Sequence, residues 1–399
     1  MSAALHITLL ATADWDHPFW TNKQHVAVSL AELGHRVLYV DSLGLRPPTL
    51  AARDRGRLWR RLCRALPLPR AVRPGIWVIS PLQLPMPAGP RVDRLNALVL
   101  RLSLGLARRR LGLRRDLLWT YNPRTAVLLS PGRYRRSLYH CVDAIDTQPG
   151  MEGERLRRDE QLLCRAVDLV VTTTPVLQER CARQARRCLL LPNVVEVEHF
   201  RRALDPALPI PEDLAAIPEP RLLFVGAIAA YKMDMELLAE VARRHPEWSI
   251  VLIGAVGEGD PATSTQALAT LPNLHLLGPR PYGALPAYLR GGAVGLIPAR
   301  INDYTRAMFP MKFFEYMAAG LPVVATPLPA LEPYASVVAL APDAEAFAAA
   351  VARALRPDPA AAAERQRLAG EATYAQRSRR MLVALAEPAN LTGAPQQRC

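Results

Sequence analysis

The chain has 399 residues, half of them apolar and 22% charged, with 37 prolines. At about 100–200 residues per domain this argues for two globular domains and excludes a disordered or collagen-like chain. The net charge of +14 is concentrated. Residues 46 to 136 hold 21 arginines against Asp54, Asp93 and Asp116, a net of +18, which leaves −4 for the rest. An anionic surface or ligand is the natural partner of that segment, and no nucleic-acid-binding motif accompanies its charge. Cys63, Cys141, Cys164, Cys181, Cys188 and Cys399 form no CxxC pair and have no histidine at metal-ligand spacing. The sequence therefore supports neither a zinc site nor a redox motif, and a reducing cytosol fits. The closest approach to a spanning helix, Leu95 to Ala107, is interrupted by Arg101 and falls short of the roughly 18 apolar residues required.

In chain order, LHITLLAT reads as a first strand rather than a signal peptide. A helix follows through Thr21 to Leu33, closed by Gly34, and then the strand HRVLYVDS. The same alternation recurs at DLLWTY, RSLYHCVD, DLVVTTT and CLLLPNV, so an α/β domain with a parallel sheet is expected over residues 1–200. Five prolines within residues 201 to 220 suit a semi-rigid connector. RLLFVGAI, SIVLIGAV, NLHLLGP, AVGLIPA, LPVVAT and SVVALA then predict a second Rossmann-like domain over 201–370. A C-terminal helix and loose tail are expected over 371–399. No Gly-rich dinucleotide fingerprint follows either first strand, and ligands of such folds sit at the carboxyl ends of the strands.

The segment from Ile297 to Thr326 is the most informative. Pro310 suits a first helical position and Gly320 a left-handed stop, so a short helix places Lys312 in its first turn and Glu315 one turn on, on the same face. Lys312 with the positive helix end can hold an anion, and Glu315 can accept hydrogen bonds from sugar hydroxyls. The alternative is an ordinary exposed ion pair three residues apart.

The string PMKFFEYMAAGLPVVAT resembles the donor-binding signature of GT-B glycosyltransferases, in particular the family-four type. RLLFVGAIAAYK resembles the opening of that family's donor domain, with Gly226 and Lys232 at the positions that approach the donor diphosphate. LLLPNVVEVEHF resembles its inter-domain strand end, with Val194 in place of the usual glycine. Together these strings resemble glycosyltransferases of bacterial exopolysaccharide and teichuronic acid biosynthesis. The resemblance implies a GT-B fold, two Rossmann-like domains facing each other across a cleft. It implies a nucleotide-diphosphate sugar as donor, no metal, and no cofactor beyond that donor. The family often has a second glutamate eight residues before Glu315, where this chain has Ala307; Asn302, Asp303, Thr305 and Arg306 stand nearby. Charge that develops on a leaving diphosphate requires cations, which Lys232, Lys312 and Arg306 can supply. Two of the three lysines in a chain with 47 arginines stand at these positions.

For the acceptor, TADWDHPFWTNKQH and YHCVDAIDTQPG follow strands of the first domain. Asp16, His17, Asp143 and Asp146 are candidates to receive the acceptor proton, and each is equally a candidate helix cap or turn residue. Trp15, Phe19 and Trp20 can stack on sugar rings, rest on lipid or anchor the core. The arginine-rich stretch with Leu58, Trp59, Leu62 and Leu66 can lie on an anionic inner leaflet, which suggests a cytoplasmic protein peripheral to the membrane. With retention, as in family-four enzymes, the departing phosphate takes the acceptor proton; with inversion a carboxylate such as Asp143 or Asp146 must. The expected function is sugar transfer to a lipid-linked or polysaccharide acceptor. The alternatives are a GT-B epimerase acting on a UDP-sugar and a non-catalytic basic membrane-surface adaptor.

Overall fold

The computed structural model describes residues 4–17, 20–43, 68–82, 89–257, 260 and 262–387. The first domain runs β1 (His6–Leu10), α1 (Asn22–Glu32), β2 (Arg36–Val40), β3 (Arg70–Arg73), β4 (Ile76–Ile79), α2 (Pro90–Leu111) and β5 (Leu117–Thr120). It continues through β6 (Arg136–Cys141), α3 (Gly153–Ala166), β7 (Leu169–Thr172), α4 (Pro175–Ala182) and β8 (Cys188–Leu190). The sheet order is β3-β4-β2-β1-β5-β6-β7-β8, with Leu9 opposite both Tyr39 and Trp119. Every pairing is parallel except β3 with β4.

Burial on both faces is why these strands are continuous apolar runs. On one face Ile7, Leu9, Val37, Tyr39 and Trp119 share a core; on the other Leu10, Leu38 and Val40 meet Leu100 and Leu104 of α2. β3 and β4 are not among the strands expected from the sequence. β3 is Arg-Ala-Val-Arg, largely exposed, so it lacks an apolar pattern, and its arginines mark the sheet edge.

The second domain contains β9 (Arg221–Val225), α5 (Met235–Arg244), β10 (Ser249–Ile253), β11 (Leu274–Leu276), β12 (Val294–Ile297), α6 (Asp303–Arg306), α7 (Lys312–Ala318), β13 (Val323–Ala325) and β14 (Val338–Leu340). After them come α8 (Ala344–Ala354), α9 (Pro359–Glu371) and α10 (Tyr374–Ala386). Its sheet is wholly parallel, ordered β11-β10-β9-β12-β13-β14. The proline-rich connector is not a free spacer. Leu214 and Ile217 are buried in the second domain's core, and the Arg221 guanidinium donates to the Ile217 and Gly291 carbonyls.

The last helix returns to the first domain. Tyr374, Met381 and Leu385 of α10 join the core that contains Ile7 and Leu9, and Ser378 Oγ lies 3.1 Å from Ser29 Oγ of α1. Buried Arg377 donates to the Pro192 carbonyl at 3.1 Å, to Asn193 Oδ1 at 3.3 Å and to Asn22 Oδ1 at 2.7 Å. The two domains are thereby tied at the start of α1. The arginine-rich residues 46–67 and the tail 388–399 lie outside the described residues, as does Phe19.

Candidate functional site

The residues expected on the donor side follow the carboxyl ends of β9 and β12. After β9 the chain turns at Gly226, whose φ is +155°; a Cβ on the neighbouring Gly254 would stand 1.7 Å from the Gly226 carbonyl oxygen. The two turns approach so closely that only glycine fits at 254. Beyond the turn, the Lys232 ammonium lies over the rings of Tyr231 and Tyr304 at 5.3 and 5.6 Å. Asn302 Nδ2 donates to the Tyr231 carbonyl at 2.7 Å, which fixes α6 against this loop.

The helix α7 is seated by its own sequence. Tyr316 is fully buried, its hydroxyl accepts the Val225 N–H at 2.8 Å, and its ring occupies the space that any Cβ on Gly295 of β12 would need. Gly320, at φ +87°, ends the helix as expected. The helix begins at Lys312, two residues after Pro310, and has only seven residues. A macrodipole over two turns is weak, so charge at this position comes from Lys312 itself. Lys312 donates to Glu315 in a short ion pair that is not the exposed pair of the alternative reading, because Glu315 is 3% exposed. Burial first, and then the Glu315 charge, push up the phenols of Tyr282 and Tyr374. Tyr374 belongs to α10 and its first-domain core, so the carboxylate faces the junction of the domains.

Across that junction stand Asn22, Lys23, Gln24 and His25, all buried at the start of α1. Gln24 closes a capping box with Thr21, and Asn22 Nδ2 donates to Asn193 Oδ1 at 2.6 Å. Asn193 in turn donates to the Phe309 carbonyl at 3.0 Å. The Lys23 ammonium lies 5.7 Å from the Tyr121 ring centroid; burial lowers its pKa, the Asp143 charge opposes this and Lys232 adds to it. Lys23, Asp143 and Lys232 are therefore within electrostatic reach of one another across the cleft. The His25 imidazole is lowered to about 3 by burial and then by Lys312, His199, Arg73 and Arg377, and stays neutral although Glu196 lies 3.6 Å away. Lys232 of the second domain thus acts on Lys23, and Lys312 of the second domain acts on His25, both at the start of α1.

The remaining expected residues are spread more widely. Asp146 is 4% exposed and holds Arg180 at 2.8 Å and Arg157 at 3.0 Å, one guanidinium on each oxygen. Such a carboxylate is neutralised and geometrically occupied, which disfavours a role as base. Asp143 is half-buried and faces Lys23. Asp16 pairs with Arg70 of β3 at 2.8 Å, and His17 is exposed. Trp15 is 6% exposed, packed edge-on against Tyr39, and its backbone N–H donates to Asp41 Oδ1 at 2.8 Å, which matches the core-anchor alternative. Trp20 stacks between Trp15 and the Arg73 guanidinium. Arg306 is exposed and lines, with Asp146, Arg157 and Arg180, a recess of about 300 Å³ between the domains.

Ala307, where the family often has glutamate, is 2% exposed and packs against Leu177 and Cys181 of the first domain; Thr174 Oγ1 donates to its carbonyl at 3.3 Å. Ala307 also lines the recess that Arg157, Arg180 and Arg306 border. Nearby, folding brings together ligand atoms of Cys141, Glu160 and Cys181 that the sequence keeps apart. Arg180 at 2.8 Å and the Tyr139 hydroxyl at 2.6 Å already occupy Glu160; the contact with Cys181 and then burial push the Cys141 thiol up, and the Cys181 thiol, lowered by its contact with Cys141, is pushed up on balance by Cys164 and burial. The cluster is a neutral, packed part of the core.

Two doubly wound parallel domains that face each other across a cleft, joined by a final helix that crosses back, define the GT-B class of fold. Residues 219–357, within the second domain, match the family model described as Glycosyl transferases group 1. Over 107 residues the chain is 37% identical to TuaH of Bacillus subtilis (strain 168), named for teichuronic acid biosynthesis. That match covers 27% of this chain and 26% of the relative, so the chain matches about a quarter of its length. Among solved structures, Anabaena HepE in complex with UDP-glucose superposes with a TM-score of 0.65 at 14% identity, covering 96% of this chain and all of HepE. Sucrose-phosphate synthase from Thermosynechococcus elongatus superposes at 0.63 with 18% identity, covering 96% and 94% of the two chains.

Proposed function

We propose that the chain is a glycosyltransferase that moves a sugar, with retention, from a nucleotide-diphosphate donor to a lipid-linked or polysaccharide acceptor in surface polysaccharide synthesis. The observation that carries the reading is the ion pair of Lys312 with buried Glu315 on a helix of a domain that matches the group 1 glycosyltransferase model. The UDP-glucose complex of HepE and the name of TuaH favour a uridine donor and a wall or exopolysaccharide acceptor.

In this reading the donor diphosphate lies over Gly226, within reach of Lys232 and Lys312, with Lys23 closing the site from the first domain. As the anomeric C–O bond breaks, negative charge grows on the leaving phosphate oxygens, and ammonium groups in a water-poor cleft lower the energy of that state most. Glu315, released from Lys312 when the phosphate takes that cation, accepts hydrogen bonds from the ribose or sugar hydroxyls. The acceptor oxygen forms the new C–O bond and its proton passes to the departing phosphate. Asp143 orients the acceptor hydroxyl and is held in place by Lys23. The chain works as a protein peripheral to the cytoplasmic membrane face; among the described residues no helix is long and apolar enough to cross a membrane.

The test is a thermal-shift panel of UDP-, GDP-, ADP- and dTDP-sugars, since a ligand that binds only the folded state raises apparent stability. Product analysis by mass spectrometry follows, with the stabilising donor alone and with acceptor. A sugar-extended acceptor is the expected result. Stabilisation by no donor, or an epimerised sugar from donor alone, overturns the assignment.

A further inference from the structure

The helix α2 is apolar on two sides. Its inner side, with Ala97, Leu100, Leu104 and Ala107, is buried against β1 and β2. Its outer side carries Leu95, Leu98, Leu102 and Leu106, which are 46%, 52%, 64% and 42% exposed. The spacings of three, four and four residues put all four on one stripe of the helix. Isolated exposed leucines are ordinary, but a row of four along a helix of about 33 Å is a surface in need of a partner.

The charges around the stripe select that partner. Arg91, Arg94, Arg101, Arg109 and Arg110 are exposed on α2, and the helix exposes no acidic side chain. Its one acid, Asp93, is held by Arg124 at 2.6 Å and by Arg155 at 2.5 Å. An interface for an ordinary protein would mix signs. A leucine stripe edged by arginines alone fits a surface with an oily interior and a layer of phosphates, where guanidinium stems snorkel to the headgroups. Position agrees with this. The contact of Asp93 with Arg124, which follows β5, puts the start of α2 at the carboxyl end of the first sheet, where the cleft opens.

We propose that the outer face of α2 docks on an anionic lipid leaflet, with Leu95, Leu98, Leu102 and Leu106 entering the headgroup boundary and the five arginines on lipid phosphates. The cleft mouth then opens beside the bilayer. The inference deepens the acceptor side of the proposed function, and its test does not use activity, so either can fail alone.

The full chain is sedimented with vesicles of phosphatidylcholine alone and of phosphatidylcholine mixed equally with phosphatidylglycerol. Wild type is expected to pellet with the mixed vesicles and to be released by salt. Leu98→Ser with Leu102→Ser, and separately Arg94→Gln with Arg101→Gln, are each expected to reduce partitioning about tenfold. All these side chains are exposed, so the variants should fold; unchanged melting and an unchanged thermal shift with the donor identified above verify this. No pelleting of wild type, equal binding to neutral vesicles, or full binding by either double variant overturns the proposal. So does a vesicle-free dimer that the leucine variant dissolves, which would give the face to a second copy of the chain.

Discussion

Replacing Lys312 by methionine separates its pairing with Glu315 from the diphosphate binding proposed for it. The substitution keeps the side-chain length and leaves Glu315, 3% exposed, as a buried carboxylate without its cation. Breaking a buried pair by removing one partner costs about 3–5 kcal/mol; because Lys312 is itself a quarter exposed, the loss here is put at about 2–3 kcal/mol. The same change removes a charge-assisted contact to the diphosphate, about 1.5–3 kcal/mol, or roughly 10- to 150-fold in affinity. The double variant Lys312→Met, Glu315→Gln removes the stranded charge as well. It should regain most of the stability and none of the affinity. Denaturant unfolding and calorimetric titration with the donor nucleoside diphosphate measure the two quantities independently. If the double variant binds the diphosphate as tightly as wild type, the pair is a structural feature of the helix and the reasoning is wrong.

Four further outcomes follow from the same geometry. If Lys23 closes the donor site as proposed, Lys23→Met should lower turnover about 10- to 100-fold, with a smaller effect on donor affinity than Lys312→Met; steady-state kinetics with donor and acceptor varied in turn measure the split. Asp143→Asn should impair turnover without unfolding the protein, whereas Asp146→Asn should chiefly destabilise it by loosening Arg157 and Arg180, as paired activity and unfolding curves will show. A neutral buried His25 contributes stability above the unfolded-state pKa of 6.5, and this is lost as pH falls towards about 3. Between pH 8 and pH 5 that contribution is about 2 kcal/mol, so the unfolding free energy of His25→Phe should fall by that much less than wild type's over this range. Asp41 has the opposite sign: burial raises it from 3.8 to about 6 despite bonds from Ser80 and Trp15. Wild type should therefore lose about 2.4 kcal/mol relative to Asp41→Asn between pH 4 and pH 7, read from the pH slope of unfolding.

The parallel strands were legible because burial on both faces writes them as unbroken apolar runs, and Gly34 and Gly320 mark where their helices stop. In the β3–β4 hairpin, β3 was not legible because a largely exposed Arg-Ala-Val-Arg carries no apolar signal, whereas β4, the apolar run Ile-Trp-Val-Ile, did carry one and was passed over. At the site, Lys312, Glu315, Gly226 and Lys232 were found by motif. Lys23 and His25 were missed, because their burial depends on α10, which packs over α1 from the far end of the chain. A signal was present: lysine is rare in this chain, and the third lysine lies in the first loop already singled out for the acceptor. Asp146 could not be separated from Asp143 by sequence. What distinguishes them is the pair of arginines on α3 and α4 that folding brings to one and not the other.

The most direct test is a crystal structure of the chain with its stabilising nucleoside diphosphate bound. The diphosphate should lie over Gly226 within hydrogen-bond reach of Lys232 and Lys312, with Glu315 turned from Lys312 to a ribose or sugar hydroxyl. A diphosphate bound elsewhere, with the Lys312–Glu315 pair intact, would contradict the account.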